Sequence, residues 1–229
     1  MAFADVAFDG DATLEGVPAV LASSVSRVQE LLVTHHAIPA YLREIEPLLA
    51  TIRPSIVVDA RMRKHARPEG QRGLAELTIG LGPGFVAGRT VDVVVETSWE
   101  RLGEVISEGP ALPLAGEPRP IGGHARDRYV YAPADGIFRT KRQIGDLVGR
   151  GEPVAEIGQV VVEAPLDGAL RGLAHDGVPV TAGTKVVEVD PRGATAEVRG
   201  IGERPRAIAA GAASVIARWR GAAQSRRCP

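Results

Sequence analysis

The residues of this chain best placed to do chemistry stand at the ends of apolar runs. Ser55-Ile56-Val57-Val58-Asp59-Ala60 closes in an acid, Leu77 to Leu81 runs into a glycine-rich segment, and Val91 to Val95 ends at Glu96-Thr97. Runs of this kind read as buried parallel strands, and ligands on parallel sheets lie beyond the strands' carboxyl ends. The rule selects Asp59, Arg61, Lys64, Gly80, Gly82, Gly84, Glu96 and Thr97 as candidate ligand-binding residues. In Gly80-Leu81-Gly82-Pro83-Gly84-Phe85-Val86-Ala87-Gly88 the glycines let backbone N–H groups approach an anion, or else make a plain tight loop. It is not a dinucleotide fingerprint, because Pro83 removes a donor and the spacing differs. The basic stretch Arg61 to Arg67 suits an anion or a solvated face, and Asp59 either caps the next element or touches a ligand.

Other chemistries find no pattern. The five histidines are scattered apart from His35-His36, and neither H-E-x-x-H nor a paired-carboxylate spacing occurs, so no zinc site is expected. No G-x-S-x-G or Cys–His pair points to a hydrolase, and no catalytic residue is assigned. The one cysteine, Cys228, forms no internal disulfide. A net charge of −1 gives no global field toward nucleic acid or a membrane. No apolar run approaches the roughly 20 residues that span a bilayer. The N-terminus lacks a secretory pattern, so a cytoplasmic location is expected.

The elements positioning the candidates alternate. Ser24 caps a helix through about Val33, with Val25, Val28, Leu31 and Leu32 at helical spacing. Ala37 to Tyr41 reads as a strand and Leu42 to Ile52 as a second helix. Val6-Ala7-Phe8 and Ala12-Thr13-Leu14 suggest a hairpin or edge pair. The βαβ rhythm predicts a parallel sheet with covering helices over residues 1–110. Residues 111–127, rich in Pro and Gly, read as a linker. Ile208, Ala212, Val215, Ile216 and Trp219 share one face of a helix within 193–229, which ends in a frayed tail.

Residues 128–192 contain a duplication. Ala132-Pro133-Ala134-Asp135-Gly136 matches Ala164-Pro165-Leu166-Asp167-Gly168 at an offset of 32. The offset holds without a gap through Arg139/Arg171, Gly145/Gly177, Val148/Val180, Gly151/Gly183, Val154/Val186 and Glu156/Glu188. Each copy reads as short strands between glycine turns, and two copies can close one small core. The pattern resembles the barrel-sandwich hybrid of biotinyl and lipoyl carrier domains. Those carriers attach the cofactor to a lysine at the tip between the halves, whereas Glu152 to Leu170 contains no lysine. Neither biotin nor lipoate is expected, and the domain reads as a docking module or as a cover for the rest of the fold.

Several motifs together point to a family. V-D-A-R-M-x-K at 58–64, I-G-L-G-P-G-F-V-A-G at 79–88 and V-x-x-V-V-E-T at 91–97 are followed by A-P-A-D-G at 132–136, I-G-D-x-V at 144–148 and D-P-R-G at 190–193. The combination resembles the accessory protein of the selenium-dependent molybdenum hydroxylase system, over about 5–217. The resemblance implies a partial Rossmann-like α/β sheet followed by the all-β barrel-sandwich hybrid and a C-terminal helix. It also implies a molybdenum hydroxylase as partner, and a role in its maturation or in molybdenum-cofactor handling without catalysis. The cofactor itself is unknown, with molybdenum cofactor or a nucleotide as candidates. An alternative is a nucleotide- or molybdopterin-binding α/β enzyme of unknown reaction. Two departures stand out. Family members begin with a Rossmann-type strand and glycine turn about fifty residues before the equivalent of Val6; by that resemblance, either Met1 is a misplaced start or a nucleotide-binding element has been lost. The family's N-R-G-H after E-T is here Ser98-Trp99-Glu100-Arg101.

Overall fold

A computed structural model describes residues 3–62, 68–113, 116 and 118–225. The fold is mixed α/β, with several separate sheets and a long C-terminal helix. The chain forms two compact units, neither of them one stretch of sequence. One gathers Met1–Ala22, Leu31–Tyr41 and Gly116–Gly200, the other Ser23–Glu30, Leu42–Ala115 and Ile201–Pro229. The sequence pattern instead divides the chain consecutively at 111–127.

The first unit opens with α1 (Val6–Asp9), β1 (Asp11–Leu14) and β2 (Val17–Leu21). The helix α2 (Val25–Thr34), of which residues 25–30 belong to the second unit, then leads to β3 (Ile38–Ala40). The expected pairing of 6–8 with 12–14 does not form. Residues 6–9 close a helical turn instead, with the Gly10 N–H donating to the Val6 carbonyl at 3.1 Å. β1 pairs antiparallel with β2 through Glu15-Gly16, whose φ values of 47° and 80° suit a two-residue hairpin turn. β2 and β3 are parallel, so α2 is a true crossover between neighbouring strands. Ser24 Oγ accepts the Arg27 N–H at 3.2 Å as the expected N-cap. Of the apolar stripe on α2, Val28 and Leu31 are buried while Leu32 faces outward.

The second unit contains α3 (Ile45–Ile52), β4 (Ile56–Asp59), β5 (Leu77–Leu81) and β6 (Val86–Ala87). It continues through β7 (Val93–Val95), β8 (Val105–Ile106) and β9 (Gly109–Pro110), and ends in α4 (Glu203–Ser225). Helix α3 begins at Ile45 rather than Leu42, because Pro47 fits a helix only in its first turn. β4, β5 and β7 are parallel neighbours, and β8 adds antiparallel at the edge. Val91 lies outside β7 and instead bridges to Ala87. Among the described residues no helix lies between these parallel strands, so the expected βαβ crossovers are not seen in this sheet. Its helical cover is α4, whose Ala212 and Val215 pack with Leu77, Ile79 and Val95. Ile208, Ile216 and Trp219 join them, the face expected from spacing. The alternate side chain, Val94, points the other way into a second cluster with Phe85, Val91 and Ile106. With both faces covered, β5 is buried from Leu77 through Gly80.

The duplicated segment supplies β10 (Tyr129–Tyr131), β11 (Gly136–Arg139), β12 (Leu147–Val148) and β13 (Pro153–Ile157). The second copy supplies β14 (Val160–Glu163), β15 (Gly168–Leu173), β16 (Pro179–Val180) and β17 (Lys185–Asp190). One sheet runs β10-β17-β15-β12, the other β14-β13-β11-β16. Shifting by 32 residues turns the first order into the second. Each sheet therefore takes its two central strands from one copy and its two edge strands from the other. Neither copy can complete a sheet alone. The core repeats the pattern, with Ala132/Ala164, Phe138/Leu170, Val148/Val180 and Ile157/Val189 all buried in one cluster.

Candidate functional site

The parallel register brings most of the sequence candidates together. Asp59 lies beside Gly80, and Leu81 beside Val95, so the ends of β4, β5 and β7 form one edge. Asp59 is buried there and its carboxylate binds Arg61. Oδ1 accepts the Arg61 N–H at 3.1 Å and Nε–H at 3.0 Å, and Oδ2 accepts from Nη2. Arg61 also lies 3.6 Å from Glu69. The hydrogen bond to Asp59 raises the guanidinium above its ordinary range, against the smaller effect of burial. The sequence reads Asp59 as capping the next element or touching a ligand; these bonds run to the backbone and side chain of Arg61, two residues on. Lys64 lies outside the described residues.

Glu96 is a brace rather than a free acid. Its side chain is fully buried. Oε1 accepts the N–H of Thr97 at 2.6 Å and of Ser98 at 2.8 Å, while Oε2 accepts that of Leu112 at 2.7 Å. A carboxylate with three backbone donors fixes the exit of β7 against the segment after β9. The Thr97 carbonyl accepts from Arg204 Nε at 3.0 Å and Nη2 at 2.8 Å, tying that exit to the start of α4. Sequence reasoning missed Leu112 and Arg204, since a backbone N–H sixteen residues away and an arginine on a distant helix leave no local spacing signal.

The glycines serve close packing. A Cβ on Gly80 would lie 2.4 Å from Phe85 Cγ, so the buried Phe85 ring fills that place. A Cβ on Gly82 would lie 2.5 Å from Thr97 Oγ1 and 3.0 Å from Met62 Sδ, and its φ of 87° favours glycine. Its N–H donates to the Val95 carbonyl at 3.0 Å, and Gly84 turns the chain at φ 89°. The loop then closes on itself, with Val86 N–H donating to Thr90 Oγ1 at 2.8 Å and Gly88 N–H to the Val91 carbonyl at 2.8 Å. The tight-loop alternative for Gly80–Gly88 thus accounts for these donors. Among the described residues, no group of three or more His, Cys, Asp or Glu side chains is placed to hold a metal ion.

In the duplicated unit the joining turn is Gly158-Gln159, between Ile157 and its partner Val160. Among the described residues, no helix is long and apolar enough to cross a membrane.

No protein-family model matches the chain. The uncharacterized protein YqeB of Escherichia coli K12 is 41% identical over 215 residues, which is 92% of this chain and 39% of that protein. The chain thus spans about two fifths of the length of the curated relative it matches. A product-bound ectoine utilization protein EutE (DoeB) from Ruegeria pomeroyi is similar over 28% of this chain and 22% of its own, at 26% identity and a TM-score of 0.25. A succinylglutamate desuccinylase/aspartoacylase from Rhodobacter sphaeroides is similar over 28% and 21%, at 30% identity and a TM-score of 0.23.

Proposed function

We propose that this protein is a non-catalytic accessory component of a selenium-dependent molybdenum hydroxylase system, acting in maturation by docking to the hydroxylase in the cytoplasm. The observation that carries the reading is convergence. Three of the motifs that carry the family resemblance pass through one edge of one parallel sheet, at Asp59, at Gly80-Leu81 and at Val95. The two acids there are bonded to their own chain, Asp59 to Arg61 and Glu96 to three amides, which supports a positioning role for them.

Molybdopterin carries a phosphate, and the described part of this edge fits one poorly. Of its cations, Arg61 stands beside Asp59 and Glu69, and Arg204 donates to the Thr97 carbonyl. The reading therefore places this chain against the hydroxylase protein and routes no step through the cofactor.

The finer fold belongs to the same proposal. We read β4, β5 and β7 as a partial Rossmann-like sheet and residues 128–192 as a barrel-sandwich hybrid of biotinyl/lipoyl type. The interleaving of the two copies supports the second. Gln159 at the tip offers no amine for an amide-linked arm, so this domain acts in docking rather than as a carrier.

Affinity purification of the tagged chain, from a host with a selenium-dependent hydroxylase pathway, tests the function. The expected result is co-purification of the hydroxylase. Failure to recover the hydroxylase overturns it. Intact mass after co-expression with a biotin or lipoate ligase checks the carrier question, with an unmodified mass expected.

A further inference from the structure

The two sheets of the duplicated segment share a fold but not an outer face. On the face of β10, β17 and β15, Tyr129 lies opposite Glu188, which lies opposite Gly172, and Tyr131 lies opposite Lys185. The positions 32 residues away on the other sheet hold Val161 for Tyr129, Glu163 for Tyr131 and Pro153 for Lys185. Only Glu156 and Arg139 repeat the charges of Glu188 and Arg171.

Charge on the tyrosine face is layered. Glu188 and Asp190 are the carboxylates, with side chains 14% and 0% exposed. Arg128 is almost as buried, and its Nη1 donates to Glu188. Above them stand Arg171, Lys185 and Arg192, 34%, 44% and 46% exposed. Lys185 Nζ reaches Glu188 Oε2 at 2.8 Å, Arg171 Nη1 reaches Asp190 Oδ2 at 3.1 Å, and Arg192 Nη2 reaches the same oxygen at 2.7 Å. Four cations thus stand with Glu188 and Asp190, and Glu197 lies within electrostatic reach of Arg192. The formal charge of the group is still positive, and the more exposed Arg171, Lys185 and Arg192 are held in position by the buried acids.

Aromatic surface lies among them. The Tyr129 ring has the Arg128 guanidinium 4.5 Å from its centroid and the Lys185 ammonium 4.3 Å away. Tyr131 meets it edge-on at 6.4 Å and remains 42% exposed. Arg128 Nε is buried without a hydrogen-bond partner. Tyr and Arg are the residues that dominate interface energetics, and cations fixed in advance lose little freedom on binding.

We propose that the outer face of β10-β17-β15, centred on Tyr131, Lys185, Arg171 and Arg192, docks an acidic peptide segment of a partner protein. The match is by charge, since an acidic strand laid over Tyr131 meets three exposed cations whose own acids lie below. The biological identity of that partner rests on the docking function proposed above, but the recognition chemistry is tested without it.

The probe is a fluorescein-labelled peptide of alternating glutamate and glycine with one central tryptophan, titrated with the full chain by fluorescence anisotropy. Binding is expected to weaken steeply as salt rises through the physiological range, where screening acts over roughly 8 Å. Lys185→Glu is expected to weaken it about tenfold, and Lys185→Gln and Tyr131→Ala each about threefold. Arg139→Glu, on the other sheet at the position that matches Arg171, is expected to change it less than about twofold. Circular dichroism and a thermal melt of each variant separate lost binding from lost folding. Three results overturn the proposal: no binding at low salt, equal losses from Arg139→Glu and Lys185→Glu, or a single-stranded oligonucleotide of equal charge binding as tightly as the peptide. Any of these leaves the hydroxylase pull-down unaffected, so the two readings fail separately.

Discussion

Asp167 Oδ1 accepts the backbone N–H of Arg150 at 2.7 Å, joining the opening turn of the second repeat copy to a turn of the first. Thirty-two residues earlier, Asp135 Oδ1 accepts the N–H of Ala182 at 2.8 Å, in the opposite sense. The symmetry continues through the backbone. Gly145 N–H donates to Leu170 O and Gly177 N–H to Phe138 O, both at 2.8 Å. The aspartate of A-P-x-D-G therefore staples one copy to the other. Asp135→Ala and Asp167→Ala are each expected to cost about 1 kcal/mol, as exposed hydrogen bonds of this kind do. Urea melts of the two variants should agree closely, and a large difference would show that the copies are not mechanically equivalent.

Phe138 and Leu170 occupy matching places in the shared core, and both are fully buried. Truncation leaves a cavity that neither sheet can close alone. Phe138→Ala is expected to cost about 4 kcal/mol and Leu170→Ala about 3 kcal/mol. Phe138→Leu should cost only about 1 kcal/mol, because the matching site already holds a leucine against the same backbone pattern. Equilibrium urea unfolding reads all three.

The duplication was legible because it is local and exact in spacing, with Gly136/Gly168, Gly145/Gly177 and Gly151/Gly183 marking the same turns. The exchange of edge strands between the copies was not, since pairing depends on which copy closes which core. The carboxyl edge was legible from apolar runs ending at Asp59 and Glu96. What those acids do was not. Arg61 lies two residues from Asp59, but nothing local distinguishes an intraloop pair from a ligand site. The donors to Glu96 include a backbone N–H from Leu112, in a segment that composition marks only as linker. The helix covering the sheet was expected from the chain between its strands. Its apolar face was visible in Ala212 and Val215, yet periodicity does not say which sheet a distant helix covers.

Glu96 tests the brace directly. Glutamine keeps one acceptor oxygen, which can still serve Thr97 and Ser98, but its amide group then confronts the Leu112 N–H with a second donor. Glu96→Gln is expected to cost about 2 kcal/mol, the penalty of a buried unmatched donor. Hydrogen exchange at Leu112 should accelerate more than at Thr97. Equal protection at both amides in the variant would mean that Glu96 does not hold the segment after β9.

Asp190 contributes to the acid stability of the duplicated unit. Its hydrogen bonds from the Arg192 side chain lower the carboxyl from 3.8 to about 2, outweighing the opposite effect of burial. The Arg192 N–H and the charges of Arg192 and Arg171 act in the same direction. The folded state therefore binds the proton less readily than the unfolded chain. The resulting stability is complete above pH 3.8 and is lost as pH falls through about 2. A displacement of that size corresponds to about 2 kcal/mol. Arg192→Gln removes the main cause while leaving Arg171 in place. The Asp190 carboxyl, followed by carbon-detected NMR, is then expected to titrate closer to its ordinary value, and urea stability should fall less steeply between pH 4 and pH 2. An unchanged titration in Arg192→Gln would assign the lowering to Arg171 instead and move the anchor of this face from the loop after β17 into β15.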